Sequence, residues 1–288
     1  MSDLTEAVRE KAKELLASGD VKLVIGHARG TTPYRARPFF ATSAEDAEQL
    51  IHDITCANNL AVYVNKPEAK VAVIAKGCDA RSLVTIYAEG QADRENLVIV
   101  GVSCEGKLEE VRLPRDEVIM PACTWCRARM PAVYDDLVGE GVPPRPEADT
   151  YDDLAELDAM NAQERAAFWR EQLGKCIRCY ACRNACPSCF CPECFVDAYH
   201  PQWALRGGGQ FGGNWMFHMG RAQHLAGRCA ACGSCERACP VGIPLMLLNR
   251  WMEREVRREF DYLAGMEAEP RQLAALFRKS ESGGLGEE

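Results

Sequence analysis

Apolar residues at Leu4, Val8, Leu15 and Leu16 recur at helical spacing among charged neighbours, and Gly19 stands where such a helix would stop. The pattern then changes. Short apolar runs rich in β-branched residues follow at 21–26, 60–64, 71–75 and 97–102, without polar alternation, as in strands covered on both faces of a mostly parallel sheet. Helices are expected between them at 44–58 and at 79–89, the second closed by Gly90. Residues 1–138 therefore predict an α/β domain.

Residues 139–150 are a Pro/Gly/acid stretch, a linker by composition because its prolines propagate neither a helix nor a central strand. The chain beyond it is helical in pattern. Asn161 and Glu164 have capping-box spacing ahead of a helix through Phe168, Trp169 and Leu173, which ends at Gly174 and leads straight into Cys176. Residues 244–263 carry Leu245, Leu248, Met252, Val256, Phe260 and Leu263 on one stripe, with Glu253 and Arg257 on a face read as solvated. Residues 151–264 form a second domain. Residues 265–288 read as a tail whose Ser/Gly/Glu-rich end is expected to fray.

Composition narrows the classes. A hydrophobic share of 47% and a charged share of 26% over 288 residues exclude a disordered or fibrous chain and allow two domains. The net charge of −8, with basic residues dispersed among acids, removes the footprint of a nucleic-acid binder. No apolar run approaches the roughly 18 residues of a bilayer span, so no transmembrane segment is expected. The first residues lack a basic-then-apolar signal pattern, so a cytoplasmic protein is expected. The anomaly is sulfur. Sixteen clustered cysteines in such a chain point to metal or redox chemistry ahead of disulfides.

Eight of them repeat one spacing: Cys176-x2-Cys179-x2-Cys182-x3-Cys186-Pro187 and Cys229-x2-Cys232-x2-Cys235-x3-Cys239-Pro240. This is the two-cluster ferredoxin run, in which three soft thiolates on a tight loop hold one face of a 4Fe-4S cubane and the fourth ligates the other cluster. Cys176, Cys179, Cys182 and Cys239 are thus assigned to one cluster, and Cys229, Cys232, Cys235 and Cys186 to the other. Structural zinc is the competing reading, but it leaves no role for the third cysteine and the Cys-Pro of each run. The residues between the runs add Cys189, Cys191 and Cys194, read either as ligands of a fourth cluster, as replacements for Cys186, or as packing thiols. The glycines between residues 207 and 213 lack the strand that a nucleotide fingerprint requires. His218, Arg221 and His224 share a helical face, either tuning a cluster by hydrogen bonding or serving the packing.

In the first domain Cys78 and Cys104 each follow a predicted strand and should emerge at the carboxyl edge of the sheet, where open α/β sheets bind ligands. Cys123-Thr-Trp-Cys126 follows. A third 4Fe-4S cluster held by Cys78, Cys104, Cys123 and Cys126 is expected. Cys56 is read as a buried thiol near the end of a helix returning to the opposite edge.

Residues 96–104, 123–139 and Lys76-Gly-Cys-Asp-Ala-Arg81 resemble the beta-subunit family of deazaflavin-coenzyme-reducing hydrogenases and dehydrogenases. Residues 174–244 resemble the dicluster ferredoxin domain of anaerobic sulfite-reductase and sulfhydrogenase electron-transfer subunits, including its inserted cysteines. The resemblance implies an α/β domain binding a flavin (FAD or FMN) beside an iron-sulfur cluster. It also implies electron passage between a hydrogenase, dehydrogenase or reductase partner and a soluble carrier. Gly26, Gly30, Lys76 and Arg81 are the candidate flavin contacts. The resulting expectation is an electron-transfer subunit of an anaerobic oxidoreductase complex, the alternative being a flavin-containing subunit that itself exchanges electrons with a nicotinamide or deazaflavin carrier.

Overall fold

The computed structural model describes residues 3–32, 35–64, 69–108, 119–143, 150–198, 200–202 and 211–269. Helix α1 (Asp3–Ser18) buries Val8, Ala12 and Leu15, and ends where Gly19 takes φ +76°. Strands β1 (Leu23–Arg29) and β2 (Ala36–Ala41) pair antiparallel, α2 spans Ala44–Ala47, and β3 (Leu50–Ile51) also pairs antiparallel with β1. Then come β4 (Val71–Ala75), α3 (Gly77–Ala88), β5 (Leu97–Val102), the single turn α4 (Pro121–Thr124) and β6 (Asp136–Val138). The sheet runs β2-β1-β4-β5-β6, parallel from β1 through β6. Every residue of β4 and β5 is buried, because α1 with α2 covers one face and α3 with the turn at Leu60–Tyr63 the other.

Two expected elements take another form. The helix expected at 44–58 stops after one turn capped by Ser43, and Leu50 and Ile51 become β3. Strand β4 pairs only with Leu23–Ile25 of β1, so the backbone of His27 and Ala28 needs another partner and β3 supplies it. The strand expected at 60–64 is a 3-10 turn instead, with Asn59 accepting from the Ala61 N–H and the Asp79 carboxylate from the Leu60 N–H. A short apolar run does not discriminate between these by periodicity alone. Strand β2 carried no strand signal because Pro38 interrupts it, which an edge strand tolerates.

The second domain is helical: α5 (Ala155–Ala159), α6 (Ala162–Gly174), α7 (Ala181–Asn184), α8 (Phe211–His224), α9 (Ser234–Arg237) and α10 (Leu245–Phe260). The expected capping box is present, with Asn161 accepting from the N–H groups of Gln163 and Glu164 at 2.9 and 3.0 Å while Glu164 accepts from Asn161 at 2.8 Å. Trp169 and Leu173 of α6, Phe217 of α8 and Leu245 and Leu248 of α10 share one core with Cys176, Cys182 and Cys235. Parts of the expected linker, of the glycine-rich stretch and of the tail (144–149, 203–210 and 270–288) lie outside the described residues.

Glu253 corrects the reading of α10 as solvated on that side. It is 7% exposed, within 2.8 Å of Arg250, which in turn pairs with Asp153, and it faces Arg81 of α3 at 3.5 Å. Arg81 also donates to the carbonyls of Ala264 (2.7 Å) and Ala230 (3.2 Å), and Arg228 makes a two-pronged pair with Glu89. The helical domain thus grips α3. Glu253→Ala removes a buried carboxylate shared by two buried arginines and is expected to cost about 3–5 kcal/mol in denaturant unfolding of the full chain, whereas Glu14→Ala, at the exposed pair with Lys11, should cost under about 1 kcal/mol.

Candidate metal centres

The two cysteine runs are built as structural copies. In the first, Arg178 and Tyr180 take φ +56° and +59°, and in the second Ala231 and Gly233, at the same offsets, take +52° and +72°. Three of these four residues are not glycine, so each run holds strain of order 1–2 kcal/mol per residue that its surroundings must offset. The turns have a specific result. The N–H of Arg178 donates to Cys176 Sγ and that of Ala231 to Cys229 Sγ, both at 3.4 Å. Each run then enters a one-turn helix, α7 or α9, bearing its third cysteine. Ile243 N–H and Asn249 Nδ2 point at Cys239 and Cys235 Sγ, again at 3.4 Å.

The fourth cysteine of each run stands with the other run. Cys176 has Cys179 and Cys239 as neighbours, and Cys182 has Cys176, Cys239 and Cys235. Cys229 has Cys235, Cys232 and Cys186. Burial pushes the free thiols up, Cys182 to about 11 and Cys235 to about 12, so without metal they are uncharged. The insert supplies the cation between the two sets. Arg221, 6% exposed on α8, donates to the Cys182 carbonyl at 3.2 Å and has the thiols of Cys235, Cys186, Cys189 and Cys182 as its neighbours.

The three extra cysteines separate. Cys189 hydrogen-bonds Cys186; that bond and, against burial, Arg221 lower its pKa, while the same bond and burial push Cys186 well up. Cys191 is exposed and Cys194 packs against the helical core. His218 is buried with neither ring nitrogen hydrogen-bonded among the described residues, and burial, then Arg221 and Arg178, bring it down to about 4. His224 leaves that buried face for the surface, its ring 4.9 Å from Phe195.

In the α/β domain Cys78 opens α3 directly after β4, and Cys104 follows β5, both at the carboxyl edge. Their cleft is lined by Cys78, Cys104, Cys123 and Cys126, and also by Cys232 of the helical domain. Four thiols from three separate segments therefore meet, and the second cysteine run abuts them. The joint is close: a Cβ on Gly233 would lie 2.7 Å from that of Ala122. Burial, then Cys123, pushes Cys126 up to about 11. Among the described residues no three His, Cys, Asp or Glu side chains close on a single-ion point. Clustered thiols, in the two runs with N–H groups aimed at sulfur, fit an iron-sulfur core.

The candidate flavin contacts do not gather. Gly26 is packed beneath Leu50 inside the sheet, and the Gly30 N–H is bonded to the Arg35 carbonyl at 2.7 Å. Lys76 lines the thiol cleft, whereas Arg81 holds the domain joint. Cys56 is fully buried, in a loop and not a helix.

Residues 171–243 match the 4Fe-4S dicluster domain family. The chain carries a 4Fe-4S dicluster domain. Across 91% of its length it is also similar to two archaeal proteins: the F420-dependent formate dehydrogenase subunit beta of Methanocaldococcus jannaschii, at 22% identity and 92% of that protein's length, and the F420-dependent formate dehydrogenase 1 subunit beta of Methanococcus maripaludis, at 25% identity and 91%. Both halves of the expected resemblance are thereby found, the beta-subunit likeness reaching through the α/β domain and the dicluster likeness covering both cysteine runs. No helix among the described residues is long and apolar enough to cross a membrane.

A Cβ on Gly77 would lie 1.9 Å from the carbonyl oxygen of Ala128, so this glycine lets α3, with Cys78 on it, seat against the segment after Cys126. Gly77→Ala is expected to lose at least about 1–3 kcal/mol in urea unfolding, whereas Gly174→Ala, which meets nothing, should be neutral or stabilising.

Proposed function

We propose that this chain is the iron-sulfur electron-transfer subunit of an oxidoreductase complex and carries three 4Fe-4S clusters. Cys176, Cys179, Cys182 and Cys239 hold the first, and Cys229, Cys232 and Cys235 hold the second, completed by Cys186 or its hydrogen-bonded neighbour Cys189. Cys78, Cys104, Cys123 and Cys126 hold the third. When bound, such clusters supply one-electron carriage at potentials between about −700 and +450 mV. The chain's own residues fix their order, exclude water from them and aim N–H groups at their sulfurs.

The observation that carries the reading is the cleft with five cysteines on its lining: four of the third set and Cys232 of the second. Cys182 and Cys235 are in turn neighbours across the first and second sets. Together these support a continuous route: α/β site, second set, first set. At its far end Cys179 is exposed beside Ile177, which is 58% exposed, where a redox partner would exchange electrons. The similarity to formate dehydrogenase beta subunits supports a catalytic dehydrogenase subunit as the partner.

Iron, acid-labile sulfide, zinc and flavin measured on anaerobically purified chain test this. About twelve irons per chain are expected, falling to about eight in Cys123→Ala/Cys126→Ala, as four-iron clusters require. Twelve irons unchanged in that variant, or zinc without sulfide, would overturn the reading. Bound FAD or FMN would move it to a flavin subunit that exchanges electrons with a nicotinamide or deazaflavin carrier.

A further inference from the structure

The thiols of the third set face a charged wall. Lys76 and Lys107 line the same cleft and are 1% and 4% exposed. A buried ammonium is costly unless opposite charge lies close by. Lys76 has such a partner, its Nζ standing 2.7 Å from the fully buried Asp79 carboxylate and 2.9 Å from the Asn58 carbonyl. Lys107 forms no ion pair with a carboxylate among the described residues. Its Nζ donates to the Asp53 carbonyl at 2.8 Å and stands 3.4 Å from His52 Nε2, while the Asp53 carboxylate is paired at 2.8 Å with Arg29. Arg129, also on the lining, has Glu105 at 3.7 Å.

The two imidazoles behind the cleft add no charge. Burial, then Lys107 and Lys76, hold His52 well below its ordinary value, and burial, then Lys76, His52 and Lys107, do the same for His27. Among the described residues, then, Lys76 is paired with a buried carboxylate and Lys107 is held by a carbonyl alone, both beside four thiols.

We propose that Lys107, together with Lys76, is the charge-compensating pair of the third thiolate set, balancing the negative charge that the iron-sulfur core and its thiolates bring into the cleft and raising the reduction potential there. This rests on the reading of that set as a cluster site. Accepting one electron from the neighbouring second set adds one negative charge and makes or breaks no bond, so a fixed cation beside it favours the reduced form. Lys107 acts on the potential through its field and touches no substrate.

The test compares wild type, Lys107→Met and Lys107→Arg as anaerobically purified full chains, by iron content and EPR-monitored redox titration. Cys123→Ala/Cys126→Ala serves to identify the signal of the third set. In Lys107→Met the iron is expected to stay near twelve while the reduced-to-oxidised ratio of that signal at fixed poise falls about tenfold or more; Lys107→Arg restores it. Loss of that cluster from Lys107→Met alone would equally support a charge role. An unchanged ratio in Lys107→Met, an equal fall in Lys107→Arg, or loss of the cluster from both variants would overturn the proposal, because a guanidinium supplies the same charge. About eight irons in the wild type would instead overturn the third cluster itself, and the charge role with it.

Discussion

Everything in the helical domain follows from turning a chain sharply enough to bring three cysteines, with two residues between neighbours, to one point. An ordinary helix would string them along one face, each about 4.5 Å further up the axis, and a strand would send alternate ones to opposite faces. The chain solves this with left-handed residues at matching offsets in both runs, including the unfavourable Arg178, Tyr180 and Ala231. The same turns aim backbone N–H groups at the first sulfur of each run. Strain and hydrogen bonding are thus two aspects of one local geometry, held in place by the core that Trp169, Leu173, Phe217 and Leu245 build around it.

Charge is the second constraint. Thiols buried this deeply are pushed toward their neutral forms, so a set of thiolates is stable there only when cations share the low-dielectric space. The protein meets this from separate parts of the chain: Arg221 from the insert lies among the thiols of both ferredoxin runs, and Lys76 and Lys107 from the sheet edge line the third cleft. The insert between the runs is accordingly built into the structure that holds their cysteines. Its Asn214 is fully buried and ties α8 to the Cys176 loop through the carbonyls of Leu173 and Cys176.

The α/β domain and the helical domain are joined at the place where their thiols meet. Arg81, Glu253, Arg228 and Glu89 fasten α3 to the helical domain, and the close approach of Gly233 to Ala122 sets the second run beside the Cys123–Cys126 segment. A grip made of one buried and one part-exposed ion pair is directional. It fixes the relative placement of the two thiol sets more sharply than an apolar contact of the same size would.

Much of this was legible from residue order alone. The runs at 71–75 and 97–102 are the strands β4 and β5, because continuous β-branched stretches bury on both faces only in such a sheet, and the exit of Cys78 and Cys104 at its carboxyl edge follows from strand direction. The duplicate spacing marked out the two runs, which the dicluster domain match covers. Three things were not legible, all of them long-range. The short helix at α2 and the strand β3 depend on which backbone groups of β1 stay unpaired, the burial of Glu253 depends on Arg81 arriving from 172 residues away, and the adjacency of Cys232 to the third cleft depends on how two domains dock. Local spacing determines which thiols turn toward one another, whereas only tertiary packing decides which cations, carboxylates and neighbouring centres share their low-dielectric surroundings, because electrostatic energy there depends on distance in space and not along the chain.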